Sequence, residues 1–332
     1  MIRLARISAM ALGLLAAWTG TAAAASKLNV TNSRGDDITV IDGTSFKPIG
    51  TVKVGEHVHG VCAPAAPGRL FTTVESDMTL KVIDTKTDAV IDTIALAGRP
   101  NQCASTPDGH YVVVPEYYDD TIEIVDVPNR KIVAQLGLPH PHNCVAEAND
   151  TEVLCSSFDM HAVYRIDLGK RVFSGEILLG GEPRPFAVTR DGRSLYAQLS
   201  QFHGFVVADL RARNAARRVA LPPAPISTCL AEAGPSTPSH GLALSPDDRE
   251  LWVASLADGR VYDYDAATRT LKGAVEVGRC PSWIATSPDG RYVAVSNSSS
   301  DDASIIDRQS RREVARIPVG RAPKRLLFVD VN

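Results

Sequence analysis

The chain has 332 residues, a formal charge of −3 and eight histidines. So slight an acidic balance argues against a nucleic-acid surface driven by phosphate contacts. A chain this long buries a large core, so its six cysteines are permitted to pair in an oxidising compartment but are not needed as scaffolding.

The first 25 residues carry Arg3 and Arg6, an apolar run over 7–18 and Ala23, Ala24 and Ala25 before Ser26. A basic start, a short apolar stretch and small residues at the end are the parts of a secretory signal peptide. The run is shorter than the ~20 residues of a membrane span, and no later stretch is long enough either. The expected mature chain, 26–332, is one domain, exported to a bacterial periplasm or secreted, with no span left after cleavage.

From there a repeat runs to the end. Asp42, Asp84, Asp126, Asp167, Asp209, Asp265 and Asp307 close similar segments, at spacings of 42, 42, 41, 42, 56 and 42. A second marker keeps the same period: GEHVHGV (55–61), GRPNQCA (98–104), PHPHNCV (139–145), EPRPFAV (182–188), TPSHGLA (237–243), GRCPSWI (278–284) and GRAPKRL (320–326). Asp-Gly turns in TPDGH, TRDGR and SPDGR, preceded by proline in the first and last, supply tight-turn chemistry between strands. Between the markers lie runs such as HYVVVPE, TIEIVDV and RYVAVSN, rich in Val, Ile, Tyr and Thr, which read as strands of about five residues. Four strands in about 42 residues make one β-propeller blade. The expected fold is all-β, a seven-bladed propeller with four antiparallel strands per blade. The N-terminal piece supplies three strands and KRLLFVDV the fourth, so C-terminal and N-terminal strands should pair and close the ring. The one long repeat carries a Pro-, Ser- and Ala-rich insertion over about 221–238, read as a loop.

VTNSRGDDITVIDG, GRPNQCASTPDG and VSNSSSDDASIID resemble the repeats of the YVTN-type seven-bladed propeller family, over nearly all of the mature chain. The resemblance implies the fold, and a likeness to periplasmic and surface-layer propellers. It implies a more distant one to propellers with lactonase, amine-dehydrogenase or haem d1 chemistry, among which fold does not choose.

The marker position itself holds His59, Asn101, His142, Arg184, His240, Ser282 and Lys324. All seven should start an innermost strand and line the central channel. The three histidines fall on blades 1, 3 and 5, as near to trigonal as seven positions allow, and point to a possible tri-histidine centre for zinc or copper with an open fourth position. His57 and His140 stand two residues earlier and, on an extended strand, would share the side of His59 and His142. Asn101, Arg184, His203, Arg279, Arg321 and Lys324 are the candidate ligand-binding residues at that mouth, and their basic members favour an anionic ligand. His161 and His203 map to loops of the same face, and His110 to the opposite one. The repeat aspartates read as turn caps without chemistry.

No GxSxG, HExxH, P-loop or CxxCH motif occurs, so a covalent nucleophile has no support. The leading reading is an exported propeller that binds a small anionic molecule, a metal or a periplasmic protein partner at its His-rich mouth. The alternatives are a metal-dependent hydrolase or lyase, lactonase-like, with Glu116 as the catalytic carboxylate to test, and a pure interaction scaffold. Cys144 and Cys155 face each other across one hairpin, as a disulfide or two buried thiols. Cys229 and Cys280 are the second candidate pair. Cys62 and Cys103 read as small core residues.

Overall fold

The computed structural model describes residues 26–147, 149–212, 216–224, 229 and 237–331. The expected signal peptide and most of the 221–238 insertion lie outside them. Among the described residues, no helix is long and apolar enough to cross a membrane.

Seven four-stranded antiparallel sheets stand in a ring. The innermost strands of blades 1 to 7 are Val58–Cys62, Ala104–Ser105, Pro141–Ala146, Pro183–Val188, Ser239–Leu244, Pro281–Thr286 and Pro323–Asp330. Blade 7 is composite. Pro323–Asp330 pairs antiparallel with Ser26–Asn32, followed outward by Asp37–Asp42 and Pro48–Lys53. The ring therefore closes as the two incomplete termini require, and no sheet edge is left facing the seam.

Burial follows the same plan. In blade 1 the second strand, Arg69–Val74, is buried from its second residue on, whereas the outermost, Ala89–Ala95, buries a single residue. An apolar cluster fills each blade interface. Phe71, Leu80 and Ile94 meet Val112 and Val125 between blades 1 and 2. Leu28, Val30, Leu326 and Phe328 of the composite blade meet Ala303 and Ile305 of blade 6. The repeat aspartates cap the turns between third and fourth strands. Asp84 Oδ1 accepts from the backbone N–H groups of Lys86 and Thr87, and Asp265 and Asp307 do the same for Thr268 and Ser310.

Two of the three disulfides match the expected pairs: Cys144–Cys155, whose Cα atoms oppose each other at 4.1 Å, and Cys229–Cys280. The third corrects an expectation. Cys62 and Cys103 are not inert core thiols but bridge the inner parts of blades 1 and 2. They stand 41 residues apart in a repeat of about 42, so the propeller sets them on neighbouring blades at nearly equivalent positions.

One irregularity recurs where it matters most. In six blades the pairing of first and second strands slips at the marker, between Val58 and Val61, Pro141 and Cys144, Pro183 and Phe186, Ser239 and Leu242, Pro281 and Trp283, and opposite Val30 and Asn32 in the composite blade. A bulge takes its extra residue out of the ladder and re-aims the side chain. That is how the marker residues come to point into the channel.

Candidate functional site

All seven marker residues line two adjoining cavities at one mouth of the channel. The first, ≈ 250 Å³, has His59, Asn101, His142, Arg184 and Lys324 in its wall. The second, ≈ 270 Å³, has His142, Arg184, His240, Ser282 and Lys324. His142, Arg184 and Lys324 belong to both.

A second ring of side chains completes the mouth, and the sequence reading missed it. Ser33, Glu75, Tyr117, Phe158, Ser200, Leu256 and Ser298 each stand nine residues before a repeat aspartate. Six of them line the cavities and Ser200 holds Arg184. The same period that marks the first ring marks this one, but its mixed composition offers no motif to notice.

Members of the two rings meet within a blade. Arg184 Nε donates to Ser200 Oγ at 2.8 Å, and the Ser282 and Ser298 hydroxyls are 3.0 Å apart. The His142 ring lies against Phe158 at 4.6 Å and 32°, with Tyr117 5.5 Å from Phe158 and the Arg184 guanidinium 4.7 Å over the same phenyl ring. His59 Nδ1 contacts Glu75 Oε1, while Arg99 donates to Glu75 Oε2 at 2.8 Å, so that the carboxylate ties blade 1 to blade 2.

Burial dominates the electrostatics of the imidazoles. Desolvation, then the charge of Lys324, pushes His59 down to about 3. Burial and then Arg184 hold both His142 and His240 well below the ordinary range. All three are neutral at pH 7. Burial alone would raise Glu75, but its hydrogen bonds with His59 and Arg99 outweigh that and keep it ionised. Burial and the adjacent Arg325 lower the Lys324 ammonium to about 8. Arg325, 1 % exposed, lies behind the mouth. It reaches Asn101 Oδ1 at 3.2 Å and stacks on Trp283 at 4.5 Å.

Several expected site residues stand elsewhere. The three marker imidazoles share the mouth but form no ligand set. Among the described residues, no three His, Cys, Asp or Glu side chains gather as a metal ion requires. His59 is engaged by Glu75, His240 Nδ1 is 2.7 Å from Ser282 O, and His142 is packed on Phe158, so a zinc or copper tri-histidine centre is not built here. His57 and His140 do not follow an extended strand. They sit in left-handed turns at φ 57° and 40°, and His140 pairs with Asp159 at 2.8 Å instead. His203 contacts Ser255 Oγ at 2.9 Å, and Arg279 and Arg321 are exposed; none of these three lines either cavity. Glu116 is buried below the turn that carries Arg99 and reaches neither cavity. Beside Arg184, Arg99 and Arg34 are the arginines that do line them.

Comparison with known proteins bears on the fold and on the first part of the chain. No curated protein matches the sequence. The fold is similar to that of Kuenenia stuttgartiensis hydrazine synthase, with TM-score 0.73 and 16% identity over 85% of this chain and 92% of that one. It is also similar to dihydro-heme d1 dehydrogenase NirN in complex with DHE, with TM-score 0.65 and 16% identity over 92% of this chain and 75% of that one. At this identity the likeness is one of fold. Residues 25–141 match the family model described as the cytochrome D1 heme domain, a stretch that includes His59, Glu75, Arg99, Asn101 and Tyr117 and stops one residue short of His142.

Proposed function

We propose that the chain is an exported periplasmic propeller, a single domain over 26–332, that takes a planar, carboxylate-bearing conjugated molecule of the haem d1 class at its channel mouth. The repeat is read as YVTN-type, elaborated at the mouth for this ligand. The observation that carries the reading is the division of the wall. Tyr117, His142 and Phe158 present an aromatic side, while Arg184 and Lys324 present cations against a single ring carboxylate, Glu75, that His59 and Arg99 already engage.

The residues fit such a group. Carboxylate substituents have Arg184 and Lys324 to meet them. The buried imidazoles are neutral, as an iron ligand must be, and His59 Nε2 and His142 Nδ1 are buried without a partner. Each cavity alone falls below the ~300–1,000 Å³ of ordinary ligand pockets, and the two joined through shared walls reach it. When bound, an iron tetrapyrrole would supply the redox chemistry; the protein supplies the stacking wall, the cations and the exclusion of water. The match of residues 25–141 to a heme domain supports the same class.

The test is titration of the purified full-length protein with haemin and with iron-free protoporphyrin, followed by absorbance and porphyrin fluorescence. Saturable one-to-one binding, weakened about tenfold or more by Phe158→Ala, is the expected result. Absence of saturable binding of either compound at ~100 μM, a level that detects even weak sites, would remove the proposal.

A further inference from the structure

The turn over 97–101 delivers Arg99 and Asn101 to the mouth, and three successive backbone amides anchor it to three carboxylates. Ala97 N–H donates to both oxygens of Glu123 at 3.2 and 3.3 Å, Gly98 N–H to Glu116 Oε1 at 3.0 Å, and Arg99 N–H to Asp119 Oδ2 at 2.7 Å. Glu116 is 1 % exposed and Glu123 fully buried, and the two carboxyl groups lie within hydrogen-bonding reach of each other. A side chain at Gly98 would collide with Glu116, so the turn is seated directly on this pair.

Two of the other repeats, blades 6 and 7, carry a polar triad at these places. Glu116 stands where blade 7 has Asn32 and blade 6 has Asn297, ten residues before the repeat aspartate. Glu123 stands where they have Thr39 and Ser304, and Thr121 where they have Asp37 and Asp302. In both relatives the asparagine amide donates to the aspartate and to the hydroxyl. The distances are 2.7 and 3.0 Å in blade 7, 2.6 and 2.8 Å in blade 6. The matching glycines, Gly320 and Gly278, donate to Thr39 and Ser304. Each relative thus holds one negative charge and one donor inside the triad. Glu116, Thr121 and Glu123 reproduce that charge and that donor only when the two glutamates share one proton.

We infer that the Glu116–Glu123 pair is a one-proton latch on the 97–101 turn, closed while the pair shares a proton and released when both carboxylates are ionised, and that it governs the mouth through Arg99 and Asn101. What it governs rests on the ligand reading above; the latch itself does not. The groups facing Glu116 are Glu123 from the neighbouring strand, Asp119 from the connecting turn and the Gly98 amide, and Gln135 Nε2 donates to Glu123 at 2.8 Å from the outer strand. The Arg99 guanidinium, carried by the same turn, spends itself on Glu75 and on the Tyr118 ring at 4.8 Å. Among the described residues no cation forms an ion pair with Glu116 or Glu123 to offset a second ionisation. Burial first, then Glu123, raises Glu116 to about 8. Its proton is retained to that pH in the folded protein and lost at ordinary carboxylate pH in the unfolded one. The stabilisation is complete below about 4.5, declines as pH rises, and is gone above about 8.

The experiment is amide exchange of Ala97, Gly98 and Arg99 in the full-length protein from pH 6 to 9.5, corrected for intrinsic rates. It is run beside the double variant Glu116→Asn, Glu123→Thr, which installs the blade 7 side chains. Wild-type protection should fall by up to tenfold per pH unit from pH 6 to about 8, the slope of one linked proton, and level off above it, while the variant stays level throughout. Should the double variant fail to fold, Glu116→Gln serves in its place. Level wild-type protection, or an equal fall in the variant, overturns the latch whatever the ligand does. Haemin affinity measured over the same range decides the coupling: a parallel fall in the wild type alone supports it, and a pH-independent affinity overturns it. If haemin does not bind at all, the proposed ligand fails and the exchange arm still decides the latch.

Discussion

Replacing Lys324 by methionine separates stability from binding at the channel mouth. The Lys324 ammonium falls from 10.5 to about 8 in the folded protein, chiefly through burial. At ~1.4 kcal/mol per pH unit, keeping it charged at pH 7 costs about 3 kcal/mol. Methionine keeps the apolar stem and removes the charge, so Lys324→Met should stabilise the ligand-free protein by up to ~3 kcal/mol at pH 7. The unfolded chain binds the lysine proton between about 8 and 10.5 and the folded one does not, so wild-type stability recovers with rising pH across that window. The advantage of the variant should therefore shrink by pH 9.5. Glu116 titrates below this window and is common to both proteins, so it cancels in the comparison. The same change should weaken binding of a carboxylate porphyrin by ~10–100-fold, the worth of one charge-assisted hydrogen bond. Guanidinium unfolding followed by tryptophan fluorescence, with the disulfides intact, reads the first effect. A variant less stable than wild type at pH 7, or a stability difference that does not change with pH, would refute the reasoning.

Removing the blade 1–blade 2 bridge with Cys62→Ser and Cys103→Ser should cost about 4 kcal/mol, the chain entropy of a loop with a sequence separation of 41, and lower the calorimetric Tm accordingly. A loss under ~1 kcal/mol would mean that the unfolded chain gains nothing from opening that loop. Glu75→Gln should destabilise the protein at pH 7 by about 1–3 kcal/mol, because the Arg99 and His59 contacts lose their charge. The Glu75 carboxyl is held low, so its contribution is present above about 4.5 and lost as pH falls. The stability difference between the two proteins should accordingly begin to shrink below about pH 4.5, remain mostly present at pH 4 and close towards about pH 2, and a difference that does not narrow between pH 4.5 and 2 would contradict the assigned role.

The fold was legible because blade geometry repeats and the sequence repeats with it. The aspartate spacing, the strand runs and the incomplete terminal blade led to the observed ring and its closure. The marker ring was legible for the same reason, since seven equivalent backbone positions must gather around one axis. What those side chains do there was not legible, because a rotamer answers to its neighbour and not to the period. His59 turns to Glu75, His142 to Phe158 and His240 to the Ser282 carbonyl, and the trigonal arrangement of blades dissolves into three separate contacts. His57 and His140 failed on backbone conformation, since the alternation argument holds only for extended residues and both lie in left-handed turns. The Cys62–Cys103 bridge failed on register. Each of the two residues alone reads as a small core side chain, and only their separation by nearly one whole repeat places them side by side on neighbouring blades.

The two cations of the last strand illustrate how such a mouth divides structural from ligand-facing charge. Arg325 and Lys324 are neighbours in sequence, but the bulge in the Pro323–Asp330 strand sends them to different surroundings. Arg325 is stacked on Trp283 and bonded to Asn101, so its guanidinium already has a π face and an acceptor and it braces blade 7 against blades 6 and 2. Lys324 lines both cavities, and among the described residues no carboxylate lies within ion-pair distance of it. A buried ammonium without a partner is costly to the folded state and remains only where something offsets it. A bound anion would do so, since each negative charge brought to the mouth restores part of the lost solvation of Lys324 and raises its affinity for the proton. The Lys324 titration, followed by NMR of the 13Cε resonance, should therefore move from about 8 toward 10.5 on saturation with a carboxylate ligand. A ligand that occupies the mouth and leaves that titration unmoved would show that the charge belongs to the fold and not to recognition.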